Sequence, residues 1–261
     1  MLPLIDSDVL RYEIGFAAER KDEPIQSFDM VKTLFDERIE EICRAVGATE
    51  PPILYITGKG NFREEVAKQK PYKGNRKGDK PFHFDNLTHY MKAAFNVFET
   101  EGIEADDAMA VVQTHALITG GETVICTRDK DLRQVEGWHY GWECGNQPEY
   151  ALRWVDRLGE MGLSEGKPKK IVGTGLRFFY SQMLTGDAVD NIPGLPKVGP
   201  VKAYSILQDC EDELDLYRKV KAQYEDVYGD NWEAELLEQA YLLWMVRFID
   251  EDGPVMWAPP E

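Results

Sequence analysis

The sequence predicts an α/β protein, with a mostly parallel central sheet flanked by helices and a helical region toward the C-terminus. Three observations point to this. Short apolar runs of strand type alternate with helical periodicities over residues 4–127. From residue 176 onward the periodicity is helical. The charge shifts as well: residues 209–261 hold 15 acids and 4 bases, a net of −11, while residues 1–208 hold 32 acids and 26 bases, a net of −6. The expected division is an α/β domain over residues 1–165 and a helical region over 166–261.

Leu4-Ile5 forms a short strand that ends in Asp6-Ser7-Asp8. Apolar residues at Val31, Leu34, Phe35, Ile39, Ile42, Cys43 and Val46 predict a helix over Phe28 to Val46, capped by Ser27 and ended by Gly47. Ile53 to Thr57 reads as a buried strand behind Pro51-Pro52. A basic segment follows: Lys59 to Lys80 holds eight bases and three acids, so a positive patch lies inside an acidic chain. Phe82 to Ala94 is a helix, Asn96 to Glu99 a strand, and Glu104 to Ile118 a helix stopped by Gly120-Gly121. Thr123 to Thr127 is the next strand. Trp138 to Gly166 carries no clear period, and its aromatics read as packing residues. Gly166 to Gly186 is basic without an acid, and Leu176 to Leu184 is helical. Ile192 to Leu207 contains Pro-Gly-Leu-Pro-Lys-Val-Gly-Pro, a tight turn between two helices. Two amphipathic helices over Glu211 to Tyr228 and Trp232 to Phe248, then an acidic end, complete the chain.

Composition excludes several classes. With 43% hydrophobic residues and six Trp, the chain can build a core. No apolar run reaches the roughly 20 residues of a membrane span, and the N-terminus lacks a signal-peptide pattern, so a soluble, cytoplasmic protein is expected. The four Cys form no C-x-x-C pair and the four His no H-x-x-x-H pair, which leaves zinc and thiolate chemistry unsupported.

Carboxylates carry the strongest signal. Asp6 closes the first strand, Glu104, Asp106 and Asp107 open a helix, Asp129 and Asp131 follow a strand, and Asp187 and Asp190 lie in Gly-Asp-Ala-Val-Asp-Asn. Singly, each group has a plain explanation: acids in a first helical turn suit the dipole, and Asp is common after a strand. Together they are crowded. Ligands bind beyond the carboxyl ends of parallel strands, so Asp6, Asp129 and Asp131 are expected to converge there. Oxygen-only ligands suit Mg²⁺ or Mn²⁺, and two such ions are a standard device for phosphodiester cleavage.

At these residues the sequence resembles the flap endonuclease and 5′→3′ exonuclease superfamily of PIN-like nucleases, and most of all its compact bacteriophage members. The resemblance runs from Asp6 to about Leu207. It rests on Asp6, Phe62-Arg63, Tyr72-Lys73-Gly74-Asn75-Arg76, Glu104-Ala105-Asp106-Asp107, Asp129-Lys130-Asp131 and Gly186-Asp187-Ala188-Val189-Asp190-Asn191-Ile192-Pro193-Gly194. It implies Asp6, Glu104 and Asp106 at one metal region, Asp129, Asp131 and Asp187 at the other, and Asp107 and Asp190 as close or water-mediated ligands. Tyr72, Lys73 and Arg76 match the family's arch, here about residues 59–95, with Lys73 and Arg76 neutralising the scissile phosphate. Arg63 is expected to bind phosphate or pair with an acid. Residues 187–207 resemble a helix-hairpin-helix whose Gly194, Lys197, Gly199 and Lys202 meet duplex phosphates and which often holds a monovalent cation such as K⁺.

Two departures stand out. The family usually has another Asp just before the Phe-Arg pair, where this chain has Ile56-Thr57-Gly58-Lys59-Gly60-Asn61. Asp8 is expected to compensate, sharing the face of Asp6 if the strand continues. Lys197 stands where many members carry Gly.

The expected protein is thus a Mg²⁺-dependent 5′ nuclease, with Mn²⁺ as a substitute and a two-ion mechanism. It acts on DNA with 5′ ends, flaps or nicks, with RNA–DNA hybrid as a further substrate, in phage DNA replication or recombination. A monomer in the host cytoplasm is the default. The alternatives are a non-catalytic DNA-junction binder and a PIN-like ribonuclease.

Overall fold

The computed structural model describes residues 1–19, 23–76 and 78–261; Lys77, within the basic segment, lies outside the described residues. The chain divides into two compact units. The first comprises residues 1–60, 78–132 and 137–154, and the second residues 61–77, 133–136 and 155–261.

In the first unit a six-stranded sheet has the order β3-β2-β1-β4-β5-β6, with β1 Leu2–Asp6, β2 Ile53–Lys59, β3 Asn96–Glu101, β4 Thr123–Cys126, β5 Gly137–Gly141 and β6 Tyr150–Val155. The pairings from β3 through β5 are all parallel. Leu4 pairs with both Ile53 and Ile125, so β1 is central. Pro3 is tolerated because pairing with β2 starts only at Leu4. Chain order reverses between β1 and β4, which makes their carboxyl ends the switch point where α/β sheets bind ligands.

Strand β1 runs without a loop into α1 (Ser7–Ala17), a helix the apolar pattern did not announce, and Asp6 is its N-cap. α2 (Phe28–Ala45) begins at the Ser27 cap as expected, and α4 (Phe84–Ala94) follows the basic segment. Leu10 and Ile14 of α1, Val31, Phe35, Ile39 and Ile42 of α2, and Leu87 and Met91 of α4 share one core with Ile5, Leu54, Ile56, Val124 and Cys126 of the sheet. Residues three and four apart on each helix put these side chains on one face. α5 (Ala105–Thr119) packs on β1 through β5 with small residues, Ala105, Ala108 and Ala110 among them. It ends where Gly120 adopts a left-handed φ of 79°.

The second unit holds the short helix α3 (Phe62–Val66), an antiparallel hairpin of β7 (Met161–Leu163) and β8 (Ile171–Gly173), and helices α6 (Gly175–Thr185), α7 (Pro200–Leu207), α8 (Glu213–Tyr228) and α9 (Trp232–Leu243). Its core gathers Phe179, Tyr180 and Met183 of α6, Ala203 and Leu207 of α7, Leu216, Val220 and Tyr224 of α8, Leu236, Ala240 and Leu243 of α9, and Trp257. α9 stops at Leu243, short of the expected Phe248, because Trp244 turns extended at φ −69° and ψ 125°. Among the described residues, no helix is long and apolar enough to cross a membrane.

Candidate active site

In the first unit the carboxylates lie at or beyond the ends of β1 and β4 and at the start of α5. Asp6, 6% exposed, receives a hydrogen bond from the Thr127 hydroxyl at 2.7 Å and from the Val9 N–H at 3.3 Å. Thr127 Oγ1 in turn accepts from Asp129 N–H at 2.9 Å, and Asp129 Oδ1 accepts from Asp131 N–H at 2.8 Å. One chain of bonds thus fixes the ends of β1 and β4 and the start of the 3₁₀ turn Asp131–Gln134. Lys130 Nζ lies 2.8 Å from Asp131. Glu104 and Asp107 form a reciprocal capping box at the start of α5, both buried, and Asp106 accepts from the Asp107 N–H at 2.8 Å. The helix-cap reading of this motif therefore holds in full alongside any ligand role.

Thr57, in the acid-free stretch of residues 56–61, joins this region through its own polar atoms. Its hydroxyl accepts from Ala105 N–H, the first residue of α5, at 3.0 Å, and its N–H donates to Asp8 Oδ2 at 3.0 Å. Asp8 reaches that point from the first turn of α1, not along a continued strand, which corrects the expected route. Its other oxygen pairs with Arg11, a buried guanidinium stacked over Phe84.

Burial pushes the Asp6 carboxyl up to about 7, and repulsion from Asp8 and then Asp129 adds to the rise against the Thr127 bond. A buried, oxygen-only group held off ionisation first by burial and then by neighbouring acids is suited to a hard divalent cation, which would offset both. Among the described residues, however, no three His, Cys, Asp or Glu side chains already stand close enough to ligate one ion. The side chains fit a divalent metal by donor type and charge, and ligation requires them to close around it.

In the second unit Asp187 and Asp190 are presented by a pinched turn. Asp187 and Ile192 exchange backbone hydrogen bonds at 2.9 and 2.8 Å, and Leu195 N–H reaches Leu184 O at 2.9 Å. Gly186 and Gly194 close the pinch, both at positive φ; a Cβ at Gly194 would lie 2.2 Å from Gly186 N. Asp187, 7% exposed, accepts from Val189 N–H at 2.8 Å and lies 3.5 Å from Gln182 Nε2. Gln182 accepts in turn from Gln134 at 2.8 Å. Asp190 faces the basic segment: its carboxylate accepts from Tyr72 OH at 3.2 Å and from Arg76 at 2.5 Å, with Lys73 Nζ at 3.9 Å.

Two expected phosphate contacts have other duties. Arg63 is completely buried; its Nε donates to Leu242 O at 3.1 Å and its guanidinium to Trp244 O at 2.6 Å. It satisfies carbonyls that the end of α9 leaves open, because α9 has no capping glycine there. Gly194 is buried, and its N–H donates to Gln239 Oε1 at 3.0 Å, so it serves the pinch and not the surface. Lys197, Gly199 and Lys202 are exposed around the first turn of α7, which Gly199 caps and Pro200 opens. Arg177 of the second basic stretch bonds the carbonyls of Leu207 and Cys210 at the end of α7.

Several contributors were not foreseen. Thr57 and Thr127 show no pattern beyond their place at strand ends. Glu238 of α9 accepts the N–H groups of Lys68 and Gln69, both at 2.8 Å, from 170 and 169 residues away, a separation no local motif reports.

No protein-family model matches the chain. In sequence it is 29% identical over 186 residues to DNA polymerase I of Rhizobium leguminosarum, covering 69% of this chain and 17% of that protein. It is 25% identical over 270 residues to DNA polymerase I of Bacillus caldotenax, covering 97% of this chain and 28% of that protein. The chain thus spans less than a third of these longer relatives. It is also 25% identical over 199 residues to flap endonuclease Xni of Shewanella amazonensis, covering 72% of each. In fold it is similar to the bacteriophage T5 flap endonuclease in a pseudo-enzyme–product complex with DNA and metal ions, with a TM-score of 0.60, 16% identity and coverage of 92% of this chain and 90% of that one. It is likewise similar to the T5 5′-exonuclease with bound zinc, with a TM-score of 0.59, 19% identity and coverage of 90% and 88%. The resemblance to flap endonucleases and 5′→3′ exonucleases that the motifs imply therefore extends to the whole fold.

Proposed function

We propose that this chain is a Mg²⁺-dependent 5′ nuclease that hydrolyses DNA phosphodiesters at 5′ ends, nicks and 5′ flaps, leaving 5′-phosphate and 3′-hydroxyl. The observation that carries the reading is the Asp6 region, where a buried carboxylate at the end of β1 is linked through Thr127 to Asp129 and on to Asp131 beyond β4, and where burial, Asp8 and Asp129 raise its pKa. Such a site is poorly explained by packing alone and well explained by a cation. The proposed ligands, direct or through water, are Asp6, Glu104, Asp106, Asp107, Asp129, Asp131 and Asp187. A pair of divalent ions, Mg²⁺ with Mn²⁺ as substitute, would supply an activated water and charge neutralisation at the leaving oxygen.

The chain's own groups do the rest. Thr127 keeps Asp6 and Asp129 in register. Lys73 and Arg76 bind the scissile phosphate and offset its growing negative charge. Tyr72 borders them. Lys197, Lys202 and the N-terminal turn of α7 hold duplex phosphates without reading bases, in the manner of a helix-hairpin-helix with K⁺ beside it. Substrate choice then follows shape, with RNA–DNA hybrid admitted, and binding weakens steeply with salt. A monomer acting in phage DNA replication or recombination, in the host cytoplasm, completes the reading.

The test is cleavage of 5′-labelled duplex and 5′-flap DNA in Mg²⁺ or EDTA, with Asp187→Asn in parallel. Metal-dependent release of 5′ products, lost in the variant, is expected. Tight DNA binding without cleavage would instead identify a junction-binding module. Preferential degradation of single-stranded RNA would identify a PIN-like ribonuclease.

A further inference from the structure

Residues 71–76 and 187–191, both in the second unit, are stitched together by their main chains and amides. Lys73 N–H donates to Asp190 O at 2.9 Å, the Asn75 amide to Ala188 O at 2.7 Å, and the Asn191 amide to Pro71 O at 2.9 Å. Side chains add a second layer. Asp190 Oδ1 accepts from Arg76 at 2.5 Å, and Oδ2 accepts from Tyr72 OH at 3.2 Å with Lys73 Nζ 3.9 Å away. Asp190 thus contacts three of the arch residues through its carboxylate and one of them again through its carbonyl.

The backbone there is strained in a telling way. Lys73 has φ 53° and Asn191 φ 63°, both in the left-handed region. Asn visits it readily, but for Lys it costs about 1–2 kcal/mol. A non-glycine residue stays there only where its surroundings over-determine it. For Lys73 those surroundings include the Asp190 carbonyl on its N–H and the Asp190 carboxylate near its ammonium. The result is two cations side by side on a rigid turn, with one carboxylate between them. Among these three charges the balance is positive, and the Arg76 side chain is 52% exposed, so the group still attracts phosphate.

Resting on the 5′-nuclease reading, we infer that Asp190 is a positioning residue for Lys73 and Arg76, and not a metal ligand like its neighbour Asp187. Each of its oxygens already accepts a hydrogen bond from an arch residue, Oδ1 from Arg76 and Oδ2 from Tyr72, so the carboxylate is turned toward the cations. Its carboxylate organises the cations before substrate arrives, which removes reorganisation from the reaction itself. This divides the Asp187–Asp190 pair into two roles: Asp187 buried against Gln182 and Val189 N–H, Asp190 turned to the basic segment.

The test combines two measurements on the full chain. The first is single-turnover cleavage of 5′-flap DNA against Mg²⁺ concentration for wild type, Asp190→Asn, Arg76→Ala and the double variant. The second is amide hydrogen exchange across residues 72–76 in EDTA without DNA. Asp190→Asn is expected to slow cleavage by about 10- to 100-fold. Half-saturating Mg²⁺ and the apparent KM should stay within about 2-fold, and in the Arg76→Ala background the further loss should fall below about 3-fold, because the two residues act as one unit. Exchange at 73–76 should rise. Tyr72→Phe, which removes one hydroxyl, should move rate and exchange in the same directions by less. A rise of 10-fold or more in half-saturating Mg²⁺ with fully additive losses would make Asp190 a metal ligand and overturn the inference. Unchanged exchange in Asp190→Asn would overturn it too. Absence of cleavage by the wild type would sink the nuclease reading instead, while the exchange result would still report whether Asp190 holds the turn.

Discussion

The Thr127 hydroxyl donates to Asp6 Oδ2 at 2.7 Å and accepts from the Asp129 N–H at 2.9 Å, so one small side chain couples the ends of the two central strands. Thr127→Val keeps the shape and removes both bonds. It should lower stability by about 1–2 kcal/mol and weaken divalent-metal affinity about 10-fold. Thr127→Ser should restore most of both. Denaturant unfolding and Mg²⁺ titration of cleavage measure the two effects separately.

Asp6→Asn should abolish cleavage and yet stabilise the metal-free protein. The carboxyl is raised from 3.8 to about 7 in the folded chain. The native state therefore holds a proton that the unfolded chain has released, and metal-free stability falls as pH rises from about 4 to about 7. The full rise corresponds to at most about 4 kcal/mol. Melting in EDTA at pH 5 and pH 8 should show a larger loss for wild type than for Asp6→Asn. Equal losses would mean that the carboxylate is not under strain.

Arg63→Met should be among the most destabilising substitutions, by about 3–5 kcal/mol, because it strands the buried carbonyls of Leu242 and Trp244. Arg63→Lys should recover little, since an ammonium lacks the guanidinium's spread of donors. If DNA affinity falls while the melting temperature holds, Arg63 is a phosphate contact after all.

Gly194→Ala should break the pinch that presents Asp187, since its Cβ would meet Gly186 N at 2.2 Å with φ at 63°. A loss of about 2–4 kcal/mol is expected, with DNA binding impaired as well. Lys197→Ala and Lys202→Ala, both exposed, should leave melting unchanged and reduce the salt dependence of binding by about one counterion each.

Much of this molecule is readable from local pattern. The stripe Val31, Phe35, Ile39 and Ile42 behind Ser27 specifies α2, and Gly120 marks the end of α5. The motif acids fall at strand ends and helix caps because those are the places where a chain turns. What escapes local reading depends on distant partners. α1 is hidden because its first residues double as site residues, with no loop to announce it. β5 and β6 carry few alternating apolar residues and gain definition only within the sheet, β5 beside β4 and β6 beside β5. Arg63 looks like a surface cation beside Phe62, yet its partner carbonyl at Trp244 lies 181 residues away. α9 likewise ends where Arg63 meets it, which nothing within residues 232–248 reveals.

The discontinuity of the second unit bears on how the chain is made. Residues 68 and 69 give their N–H groups to Glu238, about 170 positions later. At typical synthesis rates those amides wait on the ribosome for roughly 10–30 s before their acceptor exists. The sheet through β4 can assemble during that interval, since its strands end at residue 126. The cation-bearing residues 72–76 can meet Asp190 earlier, so a nascent chain stalled before residue 238 would hold a formed sheet and a basic segment fastened at one end only.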